Sequence, residues 1–225
     1  QRLCIGWTPA LIAREQPAAG SARTIYREIR TARAGTWGPM LPGVSGRERL
    51  RRQKRERIHG RVMIDLRDPL VETRSRVGDW EGDTIRPVAG SQTGLLTLVE
   101  RRTRLLRMAL LPDRSAATLN ATAARLLKGC VVHTLTVDNG MEFASHQQLA
   151  RLLGASVYFC HEHSPWERGT NEQTNKLIRY FMPRGIDLAG YSNADASLVE
   201  ERLNGRPRKC LNYLSPEQSM SQVRT

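Results

Sequence analysis

The chain has 225 residues, 40% of them hydrophobic, which suffices for one mid-sized domain with a buried core and a smaller one beside it. Lys and Arg number 35 against 22 Asp and Glu, and the resulting charge of +13 favours polyanionic partners. No apolar run is long enough for a membrane span, Gln1-Arg2-Leu3-Cys4 does not open a signal peptide, and Cys4, Cys130, Cys160 and Cys210 form no C-x-x-C pair; a membrane protein, an export signal, a disulfide framework and a zinc ribbon are therefore disfavoured. The reading is a protein with reduced thiols that nothing directs outside the cytoplasm. Gln1 in place of an initiator methionine points to a chain trimmed at this end or begun inside a longer gene.

In chain order, residues 7–16 read as a short helix, with Thr8 as N-cap and Pro9 at the first helical position. After the turn-like Pro17-Ala18-Ala19-Gly20, Ser21 can cap a second helix whose Ala22, Ile25 and Ile29 share a face. Two short helices joined in this way suit a helix-turn-helix over residues 1–34, with Arg23, Thr24, Tyr26 and Arg27 toward the major groove of DNA; an unspecific helical hairpin fits the same pattern. Gly35 to Gly46 is a Gly/Pro-rich break that opens a linker running to residue 75. The densest positive run, Arg47 to Arg61, lies inside it and holds Arg51, Arg52, Lys54 and Arg55, with Glu48 and Glu56 its only acids. Such a run is either a solvated face or a set of phosphate contacts.

Residues 76–225 carry a mixed α/β pattern. Trp80 to Ile85, Leu95 to Glu100 and Leu105 to Leu111 read as strands joined by hairpin turns. Ser115 to Lys128 reads as a helix with Leu119, Ala123, Leu126 and Leu127 on one face, stopped by Gly129. A strand over Val131 to Val137, a helix over Phe143 to Leu153 and a strand over Ser156 to Cys160 follow. The last helix of this set begins after Ser164-Pro165-Trp166 and carries Glu172, with Lys176 at i+4 and Arg179 at i+7, so the order is βββαβαβα.

Three acids stand out. Asp138 ends a strand in Asp-Asn-Gly, turn residues that put its side chain at the rim of a sheet. Asp83 lies near the end of the first strand, and 33 residues separate Asp138 from Glu172. Together they are hard oxygen ligands suited to one or two Mg²⁺ ions and to phosphoryl transfer. Asp83 is preferred to Asp79 because Gly82 leaves the backbone room beside a ligand. Glu81 alternates with Asp83 on the same strand face and reads either as an acid behind the site or as a solvated residue. Glu142 and Glu167 are rivals of Glu172. Cys160, His161 and His163 offer a zinc site, against the blander reading of exposed histidines at a strand end. Trp166 and Arg168 read as core and helix-entry residues, or as a wedge and a phosphate clamp.

The blocks Trp80-Glu81-Gly82-Asp83, Val137-Asp138-Asn139-Gly140-x-Glu142-Phe143-Ala144 and Ser164-Pro165-Trp166-x-Arg168-Gly169-Thr170-Asn171-Glu172 resemble the IS-thirty family of bacterial insertion-sequence transposases. So do Trp7-Thr8-Pro9, Thr24-Ile25-Tyr26-Arg27 and Arg206-Pro207-Arg208-Lys209, and the resemblance covers nearly the whole chain. It implies an α/β fold: an RNase H-like, integrase-like mixed sheet flanked by helices, preceded by the helix-turn-helix segment. Its first and fourth strands would be neighbours, so that Asp83 and Asp138 meet at one edge of the sheet. It further implies a DDE triad of Asp83, Asp138 and Glu172 holding two Mg²⁺ (or Mn²⁺) ions. The implied activity is cleavage of double-stranded DNA at element ends and joining of the freed 3′-OH to target DNA, performed by a homo-oligomer. Arg168, Asn171, Asn175, Lys176 and Arg179 would hold DNA near the scissile phosphate, and the tail helix and its basic loop would pack beside the site. Two readings stay open beside this one: a DNA-binding copy that occupies element ends through residues 1–34, and a non-transposing nuclease on the same fold.

Overall fold

A computed structural model describes residues 12–14, 16–31, 58–86, 88–162 and 164–223, and the chain divides into two units, 1–57 and 58–225. In the first unit residues 12–14 are helical, Pro17–Ala19 form a 3-10 turn and α1 spans Ala22–Thr31. Ser21 sits where a cap is expected, its hydroxyl accepting from the Thr24 N–H at 3.2 Å. Ile12 and Ile25 are buried, whereas Arg23, Tyr26 and Arg27 are exposed and Thr24 is half-buried. The start of the helix expected over residues 7–16 and the basic residues Arg51, Arg52, Lys54 and Arg55 lie outside the described residues.

The second unit starts at Ile58 rather than at residue 76. Residues 58–75, read from the sequence as the end of a linker, pack on the sheet because they carry their own apolar anchors: Ile58 and Val71 are buried, and α2, Leu70–Thr73, holds the latter. Met63 bridges to Phe159, and the Arg67 guanidinium donates to the Thr136 hydroxyl at 2.7 Å.

Five strands make the sheet: β1 Asp79–Ile85, β2 Gly94–Glu100, β3 Leu106–Leu111, β4 Thr134–Val137 and β5 Ser156–Phe159, in the order β3-β2-β1-β4-β5. β1, β2 and β3 form an antiparallel meander, while β4 lies parallel to β1 and β5 parallel to β4. Both faces are covered, which is why β2 reads as a continuous apolar run and not as an alternation. One face, with Trp80, Leu96, Leu98, Leu135 and Val137, packs against Leu119 and Ala123 of α3 (Ala116–Leu126) and Leu149 of α4 (His146–Leu153). The other, with Ile85, Leu95, Val99 and Met108, packs against Ile178 of α5 (Gly169–Ile178) and Val199 and Leu203 of α6 (Asn193–Asn204). A fully buried leucine in such a layer contributes about 1.5–3 kcal/mol. Trp80 is buried whole, and its indole N–H is satisfied by the Val131 carbonyl at 3.0 Å.

The C-terminal helix α7 spans Pro216–Val223 and inserts Met220 into the first of these cores. The tail helix α6, expected beside the active site, packs along β3, the edge strand of the sheet separated from β1 by β2. Edge strands present unpaired backbone groups, and here α6 pairs them: Asn204 accepts from the Leu106 N–H at 2.8 Å, Glu200 from that of Met108 at 2.7 Å and Asn193 from that of Leu110 at 3.0 Å. Among the described residues no helix is long and apolar enough to cross a membrane.

Candidate active site

The parallel register of β1 and β4 pairs Glu81 with Thr136, and two residues further on it brings Asp83 level with Asp138, where β4 ends in the Asp-Asn-Gly turn. The meeting point is thus at the C-terminal ends of two central strands. Two ends of one guanidinium join the acids: Arg168 lies 3.2 Å from Asp83 through Nη1 and 3.6 Å from Asp138 through Nη2. Arg168 stands at the end of a 3-10 turn, Pro165–Arg168, that feeds directly into α5. Each aspartate is also oriented by the chain. Asp83 accepts from its neighbour's N–H, Thr84, at 2.8 Å and from the Asn175 amide at 3.0 Å; Asp138 accepts from the Gly140 N–H at 3.0 Å. Burial, helped by the nearby Asp138 charge, raises the Asp83 pKa above the usual carboxylate range against the opposing pull of Arg168. The Arg168 pKa is raised too: burial works against the cation, and the two aspartates outweigh it.

Glu172 is not drawn into this pair. It sits on α5 one turn from Arg168 and one turn from Asn175, yet its side chain is half exposed and pairs with Lys176 at 2.9 Å. Among the described residues no group of three or more His, Cys, Asp or Glu side chains is gathered as a metal cage. The donor set still suits a hard cation, because the two converging side chains offer oxygen only.

Of the polar residues on α5 expected at DNA, Asn171 is the clear correction. Its side chain is fully buried, and its amide donates to the backbone carbonyls of Glu81 (3.0 Å) and Thr97 (3.3 Å) while accepting from the Thr97 hydroxyl (3.0 Å). It fastens the helix to the sheet and has nothing left to offer a ligand. Asn175 is committed likewise, to Asp83 and to the Thr97 hydroxyl. Lys176 stays exposed beside Glu172, and the Arg179 guanidinium is half-buried with its pKa lowered, first by burial and then by Arg184. Trp166 is 74% exposed, which removes the core reading of that residue.

Several residues at the site were not singled out for the parts they play. Glu81 is an interior anchor, bonded through Oε1 to Arg101 Nη1 at 2.9 Å and through Oε2 to the Asn171 backbone N–H at 2.8 Å. Glu142 is buried and takes the Thr84 hydroxyl proton into a short hydrogen bond. A methyl group on Gly140 would lie 2.8 Å from Glu142 Oε2 and 2.9 Å from Asp138 Oδ1, so this glycine is needed for space. Gly82 also is needed for space, but not beside a ligand: a side chain there would press on Val137, Leu135 and Leu98 at 3.2–3.4 Å. Arg61 reaches from the end of the basic run to the Asn139 side chain, whose amide in turn donates to the Cys160 carbonyl at 2.7 Å.

The zinc alternative finds no support in His161, whose two ring nitrogens face Asp65 and Glu167, each at 2.9 Å. Cys160 is buried, and burial pushes its thiol up to about 12, so it stays protonated. His163 lies outside the described residues.

No protein-family model matches the chain. It is 40% identical over 213 residues to the transposase for insertion sequence element IS1086 of Cupriavidus metallidurans, a match covering 90% of this chain and 62% of that protein. It is 36% identical over 238 residues to the transposase for IS4351 of Bacteroides fragilis, covering 97% of this chain and 70% of the relative. To the InsI transposase of IS30A from Escherichia coli K12 it is 35% identical over 178 residues, 77% of this chain and 46% of that one. The chain therefore spans between about half and about two thirds of the length of these relatives. Among solved structures, the catalytic core domain of BIV integrase superposes with a TM-score of 0.51 at 20% identity, over 64% of this chain and 95% of that one, which places the sheet and its helices in the same fold.

Proposed function

Because the chain belongs to the family of insertion-sequence transposases that includes those of IS1086, IS4351 and IS30A, we propose that it cuts phosphodiester bonds at the ends of its element in double-stranded DNA and joins the freed 3′-OH to a target. The observation that supports this most directly is the pairing of Asp83 and Asp138 at the ends of adjacent parallel strands, both facing one guanidinium. Asp83 and Asp138 are the residues to hold Mg²⁺ or Mn²⁺, with Glu172 as the third ligand. Divalent ions bound there would supply Lewis-acid activation of a water or 3′-hydroxyl and charge relief at the leaving oxygen.

The chain's own residues do the rest by positioning. Asn175 and the Thr84 N–H fix the Asp83 carboxylate, the Gly140 N–H fixes that of Asp138, and Glu81 with Asn171 ties α5, which carries Glu172, to β1. Arg168 offsets the charge of both aspartates and can release them to contact phosphate, a match of guanidinium to oxyanion that its fork geometry favours. Trp166, exposed on the turn that precedes α5, is set to meet DNA bases or sugars beside the acids. Residues 1–34 read the element end and the basic run holds phosphates; a homo-oligomer brings two ends together.

The test uses a full-length protein, a labelled end duplex and Mg²⁺, with nicked and joined products separated on a gel. Asp83→Asn and Asp138→Asn should abolish cleavage while leaving duplex binding within about twofold, since each removes an acid and no basic contact. Retained cleavage in Asp138→Asn would refute the assignment, and cleavage without joining would favour a nuclease on the same fold.

A further inference from the structure

The side of α5 turned away from the aspartates borders a second feature. Arg168, Asn171 and Asn175 face the sheet, whereas Thr170, Gln173 and Thr174 line a cavity of about 320 Å³ whose remaining wall holds Arg74, Arg104 and Arg208. A cavity of this volume is at the small-ligand end of binding sites.

Its charge is uncompensated. Several buried or half-buried arginines of the unit have carboxylates: Arg67 has Glu72, Arg101 has Glu81, Arg107 has Glu200 and Arg168 has Asp83. Among the described residues none of the three cavity arginines forms an ion pair, and no carboxylate lines the wall. Arg104 Nη1 donates to the Thr170 hydroxyl at 2.6 Å and Arg208 Nη2 to the Leu203 carbonyl at 3.0 Å; the Arg208 Nε–H is buried with no partner. The crowding is felt in their protonation: burial and then Arg104 lower the Arg74 pKa, and burial followed by Arg206 and Arg104 lowers that of Arg208. Arg74 and Arg104 also hold backbone φ of +54° and +64°, the left-handed region where glycine or asparagine costs least. At Arg74 that conformation is the C-cap of α2.

Planar guanidinium forks, a threonine hydroxyl and a glutamine amide are a donor set for a tetrahedral oxyanion. We propose that this cavity binds a phosphate group, and that its source is a backbone phosphate of the DNA on which the protein acts. On either side of Arg208 in the chain, Arg206 and Lys209 are exposed, and the Arg206 charge is felt at Arg208; further positive charge beside the cavity suits an extended polyanion better than a single small ion. A phosphodiester held there would grip α5 from behind while its front face carries Glu172. The DNA half of the proposal rests on the transposase reading; the phosphate half does not.

The experiment compares the wild-type chain with Arg74→Gln/Arg208→Gln and with the charge-preserving Arg74→Lys/Arg208→Lys. Binding of a fluorescent duplex is followed by anisotropy across a KCl series, and inorganic pyrophosphate is titrated by thermal shift. The Gln pair should weaken duplex binding about tenfold at fixed salt, flatten the slope of log K against log salt by about one, and lose pyrophosphate protection, while the Lys pair keeps the slope. Loss of pyrophosphate protection with an unchanged DNA slope would overturn DNA as the source and leave a free phosphorylated ligand. An unchanged response to both probes, or equal losses in the Lys pair, would overturn the site. Cleavage by the wild type and its loss in Asp83→Asn, read on the same duplex, judge the transposase reading separately.

Discussion

Replacing Glu81 by glutamine probes how α5 is held. The carboxylate is fully buried; one oxygen takes Arg101 Nη1 at 2.9 Å and the other the Asn171 backbone N–H at 2.8 Å, at the N-terminal end of the helix. Glutamine is nearly isosteric but has one acceptor oxygen and an NH₂ group. In either rotamer the NH₂ faces a donor, so either Arg101 or Asn171 loses its acceptor and meets a second N–H. Arg101, itself buried, would keep only Glu72, at 2.9 Å. Breaking a buried pair costs about 3–5 kcal/mol, and the surviving Glu72 contact argues for the low end, about 3 kcal/mol. For a domain of this size that is a fall in Tm of roughly 6–12 °C.

Urea unfolding followed by circular dichroism, with calorimetry for Tm, reads the loss. Arg101→Met should cost a similar amount, and the double variant should cost less than the sum by at least about 1 kcal/mol, because the second change removes a charge already stranded by the first. Cleavage in Glu81→Gln should fall further than the unfolded fraction accounts for, since α5 carries Glu172. A loss below about 1 kcal/mol with strictly additive single changes would show that the pair does not anchor the helix.

Gly140→Ala places a methyl 2.7–2.9 Å from atoms of Glu142 and Asp138; overpacking of that kind costs about 1–3 kcal/mol, and cleavage should drop sharply as Asp138 is displaced, checked by Tm and by product yield. Trp166→Ala should leave Tm within about 1 °C, because the ring is 74% exposed, while reducing cleavage or duplex affinity; a large fall in Tm would contradict the surface placement. The raised Asp83 pKa has two opposite consequences. Cleavage, which needs the ionised form, should be lost as pH falls through a value above the usual carboxylate range, whereas the contribution of Asp83 to stability is present in full below its unfolded pKa and is lost as pH rises through the folded one. Asp83→Asn should flatten that part of the pH–stability curve, and an unchanged curve would contradict the shift.

The strands were legible because burial on both faces leaves long apolar runs between turn residues. Legibility failed where segments wrap around the strands. Val131 to His133 reads as the start of β4 but serves β1 instead, the His133 N–H bonding to the Gly78 carbonyl at 2.6 Å and the Val131 carbonyl accepting from Trp80. Phe143 was read as the start of α4, yet Met141–Phe143 form a 3-10 turn that buries Glu142 and Phe143 before the helix begins at His146. At the site, Asp138 is announced by its turn and Asp83 by its strand. The burial of Asn171 was also available in principle, since Ile178 lies seven residues on and shares its inward side. Polar residues on a helix suggest solvent, and only the matching Glu81 and Thr97 on the sheet reveal that these face inward.

Glu172 shows why spacing locates an acid more readily than its partner. Two carboxylates 4 Å apart repel by about 4 kcal/mol at an effective dielectric constant of 20, so three acids on neighbouring elements require cations among them. This chain supplies its own at four residues on either side of Glu172: Arg168 faces Asp83 and Asp138, and Lys176 faces Glu172. All three positions lie along one side of α5. If Glu172 turned toward the aspartates it would exchange Lys176 for the neighbourhood of Arg168, whose charge is already shared between two carboxylates. The pairing with Lys176 therefore spreads two cations over three acids with the least repulsion.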